Sequence, residues 1–124
     1  LHKEYRRQRQ MCIRDSLQVK ELLDSGADMV LVDVREKWEF EYCHIPNSIH
    51  ISVSDIPDNI SKLETKKPLL LVCHNGRRSR QIGEELIEKG FDNLINLKGG
   101  VDQWADDIDK SMPKYGMKEI IENS

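Results

Sequence analysis

The chain has 124 residues, a formal net charge of −3, 38% hydrophobic residues and three cysteines. That is one domain of ordinary size, able to bury a core without disulfides or metal. No stretch approaches the roughly 18 apolar residues of a membrane span, and the basic, polar start is not expected to act as a signal peptide.

The charge is unevenly spread. Residues 1–16, LHKEYRRQRQMCIRDS, carry Lys3, Arg6, Arg7, Arg9 and Arg14 against Glu4 and Asp15, a balance of +3 that leaves −6 on the remainder. A body of that sign repels nucleic acid and anionic membrane, so neither is expected as a partner. A basic nucleic-acid arm is one reading of the first residues. The favoured reading is a disordered or non-native segment, because RRQRQMCIRDS resembles translated adapter sequence. The domain is then expected over residues 17–115, with a tail over 116–124.

The periodic pattern begins at Leu17. In SLQVKELLDSG, Val19, Leu22 and Leu23 mark a short amphipathic helix closed by Gly26. DMVLVDV, residues 28–34, is a β-branched apolar run and reads as a strand covered on both faces. EKWEFEY, residues 36–42, predicts one or two helical turns. HIPNSIHIS predicts a turn at Pro46-Asn47 and a short strand through Ile49 and Ile51. VSDIPDNISKL predicts an irregular helix broken near Pro57. PLLLVCH, residues 68–74, is the most apolar strand, and SRQIGEELIEKG predicts a helix from Ser79 with Ile82, Leu86 and Ile87 inward and Gly90 as its stop. FDNLINLKGG gives a further strand. VDQWADDID gives a last helix, with Val101, Trp104 and Ile108 at helical intervals. Residues 111–124 read as a tail with one turn at MKEII. Strands alternating with helices predict an α/β fold with a parallel central sheet flanked by helices on both faces. Ligands in such sheets bind beyond the carboxyl ends of the strands.

Cys73 stands at such an end, in CHNGRRS. Gly76 permits a tight curl, which turns several backbone N–H groups inward at a helix start and makes an anion nest. Arg77 and Arg78 add permanent positive charge. A thiol there is expected to ionise more readily than an ordinary cysteine and to act as a nucleophile. A merely buried cysteine would not explain the glycine, the paired arginines and the helix start arriving together.

The three cysteines, Cys12, Cys43 and Cys73, are odd in number and scattered, with no Cys-x-x-Cys pair, and the four histidines are not at zinc spacing. The expectation is a reducing, cytoplasmic setting with no metal and no cofactor.

CHNGRRS resembles the Cys-x-x-Gly-x-Arg-Ser active-site loop of rhodanese-like sulfurtransferases. LVDVREKWEFEYCHIPNSIHI is similar to that family's first signature and LKGGVDQW to its last, so the resemblance covers nearly all of residues 17–115. WADDIDKSMPKY most resembles single rhodanese domains attached to ThiF/MoeB-type adenylating enzymes. The resemblance implies a three-layer fold with about five parallel strands. It implies that Cys73 carries sulfur as a persulfide, taken from a small anionic donor such as thiosulfate and passed to a thiophilic acceptor. It also implies a sulfur-carrier or adenylating protein as partner, or alternatively a relay module that works only inside such a complex.

The resemblance further implies substrate contacts from His74, Asn75, Gly76, Arg77, Arg78 and Ser79, with Arg78 the favoured cation for an anionic donor. Asp33 and Arg35 are expected to brace the loop, Arg35 pairing with Glu39. The six residues from Cys73 to Arg78 match sulfur transfer, whereas phosphatases sharing the fold carry Arg where Ser79 stands. His44 is expected to be structural, Cys43, Trp38 and Trp104 to pack, Asn47 to replace a glycine, and Gly99-Gly100 to make a tight turn.

Overall fold

The computed structural model describes residues 11–56 and 66–123. In chain order the elements are β1 (Cys12–Arg14), α1 (Ser16–Asp24), β2 (Val30–Asp33), α2 (Lys37–Tyr42), β3 (Ile49–His50), a 3-10 turn (Val53–Asp55), β4 (Leu69–Val72), α3 (Arg77–Glu88), β5 (Leu94–Leu97), α4 (Gly100–Asp107) and α5 (Met117–Glu122). The five strands form one parallel sheet in the order β1-β5-β4-β2-β3, which is the predicted α/β architecture.

The sheet has a core on each face. Side chains alternate along a strand, so Leu70 and Val72 of β4 face one way, against Val19 of α1 and Val101 and Trp104 of α4. Leu69, Leu71 and Cys73 face the other way, against Ile82 and Leu86 of α3. All four β4 residues are buried, as expected of a central strand covered on both sides.

β1 lies inside the segment that the sequence reading leaves outside the domain. Cys12, Ile13 and Arg14 pair with Ile95, Asn96 and Leu97 of β5, where a disordered or non-native segment is the expectation. Three residues without apolar alternation give no strand signal. The pairing comes from the otherwise open edge of β5. Asp15 then caps α1 reciprocally with Gln18, at 2.8 and 2.9 Å. The predicted irregular helix is seen only as the 3-10 turn and Ile56, and its remainder lies outside the described residues, as do residues 1–10.

Register decides what meets at the carboxyl edge. Asp33 is level with Val72, so the chain just beyond β2 stands beside Cys73. Leu71 is level with Asn96 of β5.

Candidate active site

β4 delivers Cys73 into a curl that ends at Gly76, whose φ of +91° makes it a left-handed N-cap for α3. The helix starts at Arg77, two residues before the predicted Ser79, because glycine takes that conformation without steric cost. Arg77 and Arg78 therefore lie in its first turn.

The Cys73 sulfur accepts the N–H of Gly76 at 3.0 Å and that of Ser79 at 3.4 Å, with the Ser79 hydroxyl 3.2 Å away. Ser79 in turn contacts the Gly76 carbonyl at 3.3 Å and the Asn96 side-chain carbonyl, while the Asn96 amide donates to the Gly76 carbonyl at 3.3 Å. The Arg77 amide donates instead to Asn75 Oδ1 at 3.1 Å. The nest thus offers two amide donors, fewer than a fully convergent ring, with the Ser79 hydroxyl proton turned toward Asn96. Cys73 is 0% exposed and its other side packs into the α3-facing core. The sulfur is polar-lined on one side and closed to solvent. Hydrocarbon on β4 and α3 accounts for the closure.

α4 holds the loop from behind. Its early amides have no partner within the helix, and Val101 and Asp102 donate theirs to the carbonyls of Cys73 and His74 at 2.9 and 3.0 Å. This approach requires Gly100: a Cβ there would stand 2.2 Å from the Cys73 carbonyl oxygen, at a φ of +57°.

A buried polar chain runs beside the loop. The Arg35 guanidinium grips Asp33, with Nε to Oδ1 at 2.9 Å and Nη2 to Oδ2 at 2.7 Å, and also donates to the Cys43 carbonyl at 2.6 Å. Its Nη1 donates to the Tyr115 hydroxyl at 3.0 Å, which donates to Glu39 Oε2 at 2.6 Å. Glu39 holds Arg78 through two bonds of 3.0 and 2.8 Å, and its Oε1 also accepts the Glu36 amide at 3.1 Å. The expected Arg35–Glu39 pair is thus replaced by two pairs joined through Tyr115. Asp33 lies two residues from Arg35 and satisfies its fork first.

Electrostatics follow that chain. Burial alone would push the Glu39 carboxyl up, but hydrogen bonds from Arg78, Tyr115 and the Glu36 amide outweigh it and hold the carboxyl below its ordinary value. Burial, then the bond to Glu39, raises the Tyr115 hydroxyl. The hydrogen bond to Glu39 raises Arg78, and the charges of Glu39 and Cys73 add to it. Burial raises the Cys43 thiol.

The other candidates fall into place around this core. The His74 ring stacks on Tyr115 with centroids 4.2 Å apart, and Asn75 and Arg77 are exposed at the mouth. His44 hydrogen-bonds the Phe40 carbonyl at 2.8 Å and stacks on the Phe40 ring, away from the sulfur loop. Cys43 and Trp104 are buried in the core facing α1 and α4, with Trp38 packed against it. Asn47 has a φ of +69°, which suits its place where glycine is usual. Among the described residues no group of His, Cys, Asp and Glu is arranged to hold a metal ion.

Sequence reasoning missed Tyr115 and Asn96 and misassigned Glu39. Glu39 and Asn96 sit inside elements that read as ordinary helix and strand. Tyr115 lies near the end of the chain, and only the fold brings it to the loop.

The rhodanese-like domain family matches residues 16–107. The chain is 38% identical over 87 residues to the thiosulfate sulfurtransferase GlpE of Pseudomonas savastanoi pv. phaseolicola, covering 70% of this chain and 80% of that protein. It is 34% identical over 98 residues to the adenylyltransferase and sulfurtransferase UBA4 of Meyerozyma guilliermondii, covering 73% of this chain and 23% of that one. A crystal structure of a rhodanese-like domain protein from Staphylococcus aureus superposes with a TM-score of 0.72 at 28% identity, over 86% of this chain and 100% of that one.

Proposed function

The chain belongs to the rhodanese-like domain family, and we propose that it moves sulfane sulfur from a small anionic donor to a thiophilic acceptor through a persulfide on Cys73. The observation that carries this reading is the pair of amide donors on one sulfur: the Gly76 and Ser79 N–H groups both meet Cys73 Sγ at the carboxyl edge of the sheet, with the Ser79 hydroxyl beside them.

In the first step the Cys73 thiolate attacks the outer sulfur of thiosulfate. A new S–S bond forms, the old one breaks, and sulfite leaves with the bonding pair. In the second step a nucleophile such as cyanide or a thiolate attacks the outer persulfide sulfur, and Cys73 leaves as the thiolate. The two half-reactions predict ping-pong kinetics. The amides that meet the resting sulfur stand ready to stabilise the terminal sulfur of the persulfide, and well-placed donors of this kind contribute about 3 kcal/mol each to a developing anion. Ser79 replaces the arginine of the phosphatase pattern and is buried against Cys73 and Asn96, which supports sulfur transfer over phosphate hydrolysis.

A second reading is a relay module that delivers sulfur only within a complex with a sulfur-carrier or adenylating protein. The burial of Cys73 favours it, since a free acceptor reaches the sulfur only when the loop moves. No described helix is long and apolar enough to cross a membrane, which is compatible with the proposed cytoplasmic setting.

Intact-mass measurement after incubation with thiosulfate tests the reading. The wild type is expected to gain one sulfur atom, and the folded Cys73→Ser variant none. A wild type that never gains sulfur from thiosulfate or polysulfide overturns it. Cyanide turnover separates the two readings: rapid turnover marks a general enzyme, and a stable persulfide without turnover marks a relay.

A further inference from the structure

Glu39 is an unusual neighbour for a site that takes an anion. Its side chain is 4% exposed, and it lies against Arg78, which is 41% exposed at the end of the sulfur loop. Both carboxylate oxygens are fully engaged. Oε1 accepts from Arg78 Nη1 and the Glu36 amide, and Oε2 from Arg78 Nη2 and the Tyr115 hydroxyl. Tyr115 is itself held by Arg35, so Glu39 is fixed in place and cannot follow Arg78 toward the mouth. A two-bond Arg–carboxylate pair is strong and directional. If Arg78 turned to a bound donor, it would leave a carboxylate buried without its cation, which is costly.

We infer that Glu39 is a specificity-determining residue: by cancelling the charge of Arg78 beside the sulfur loop, it biases the site away from dianionic donors such as thiosulfate and toward singly charged sulfane donors. The inference rests on the sulfur-transfer reading above. Arg78 is then a structural half of a neutral pair, and Arg77 is an exposed cation of the loop without an ion-pair partner among the described residues.

The chemistry of Glu39→Gln makes the test specific. The amide puts an N–H donor where the carboxylate offers only acceptors. Turned toward Tyr115, whose hydroxyl can accept, that amide repels Arg78 Nη2 and releases one arm of the guanidinium. Thiosulfate, a dianion, and benzenethiosulfonate, a monoanion, both give up their outer sulfur and differ by one charge. Rates of Cys73 persulfide formation with each donor are measured first in the wild type. If neither loads the wild type, the sulfur-transfer reading fails, and this inference with it. With loading established, Glu39→Gln is expected to raise the ratio of kcat/KM for thiosulfate to that for benzenethiosulfonate by about tenfold, mostly through a lower KM for thiosulfate. A merely structural Glu39 predicts the opposite: both donors slowed alike and the ratio unchanged. An unchanged or lower ratio overturns the inference while leaving sulfur transfer intact. Should Glu39→Gln fail to fold, the uncharged pair Glu39→Gln with Arg78→Gln decides. It is expected to keep the donor ratio within about twofold of wild type, because it removes a pair with no net charge. A drop in thiosulfate preference there would show that Arg78 serves the dianion directly, and would overturn the inference.

Discussion

The Tyr115 hydroxyl donates to Glu39 Oε2 across 2.6 Å and 76 positions of sequence. That single bond ties the last buried side chain of the described residues to the helix beside the sulfur loop. The same ring stacks on His74, the residue after Cys73, and takes a bond from Arg35. Tyr115 therefore reports on the loop from two directions, through Arg78 and through His74.

Tyr115→Phe keeps the ring and removes the hydroxyl. Glu39 loses one of its donors and Arg35 Nη1 loses its acceptor. Hydrogen bonds to charged groups contribute about 1.5–3 kcal/mol each, and two are lost, so urea unfolding is expected to show a loss of about 3 kcal/mol or more. Tyr115→Leu removes the His74 stack as well and is expected to lose more.

Ser79→Ala leaves the Ser79 amide on the sulfur but removes the hydroxyl that meets both Cys73 and Asn96. Stopped-flow sulfur loading of Cys73 is expected to slow by about tenfold, less than the loss of a donor aimed wholly at a developing anion, because the hydroxyl proton is held by Asn96. Loading at the wild-type rate would remove the hydroxyl from the mechanism.

Two glycines with positive φ are expected to respond differently to alanine. At Gly100 a Cβ would meet the Cys73 and His74 carbonyl oxygens at 2.2 and 2.5 Å, whereas at Gly90 nothing lies within 4 Å. Gly90→Ala therefore pays only backbone strain, about 1 kcal/mol. Gly100→Ala must also push α4 off the loop, and is expected to lose about 3 kcal/mol or more together with most of the sulfur loading. Thermal melts and mass measurement on the two variants check this.

Acid should act through Glu39. Its carboxyl is held below the ordinary value of 4.5 in the folded chain. It thus contributes stability that is present above 4.5 and lost as pH falls through the lower folded value. Tyr115 has the opposite sign: raised above 10.0 when folded, it contributes stability below that pH and loses it as pH rises. Urea midpoints of the wild type and Glu39→Gln are expected to differ near neutral pH and to converge as the pH falls below the ordinary carboxylate value and through the lower folded one.

Much of this was legible in the residues. The β-branched run before Asp33 and the leucine run before Cys73 mark buried parallel strands, and their register places both ends on one edge. Gly76 beside Cys73 signals a curl at any sequence-level reading. What stayed hidden is long-range pairing. Nothing local sends Arg78 to Glu39, 39 positions away, or brings Tyr115 back across the sheet edge to join them. β1 was invisible for a related reason, since its three residues acquire their form from β5 and not from their own pattern.

The enclosure of Cys73 has a consequence for oxidation. Thiols are converted to sulfenic and higher acids according to their ionisation and their access. With Cys73 0% exposed, peroxide reaches the thiol only when the structure around it opens, and the proposed sulfur donor would need the same opening. A variant that breathes more freely would load sulfur faster and be inactivated sooner, so the rate of opening sets a ceiling on working lifetime as well as on turnover.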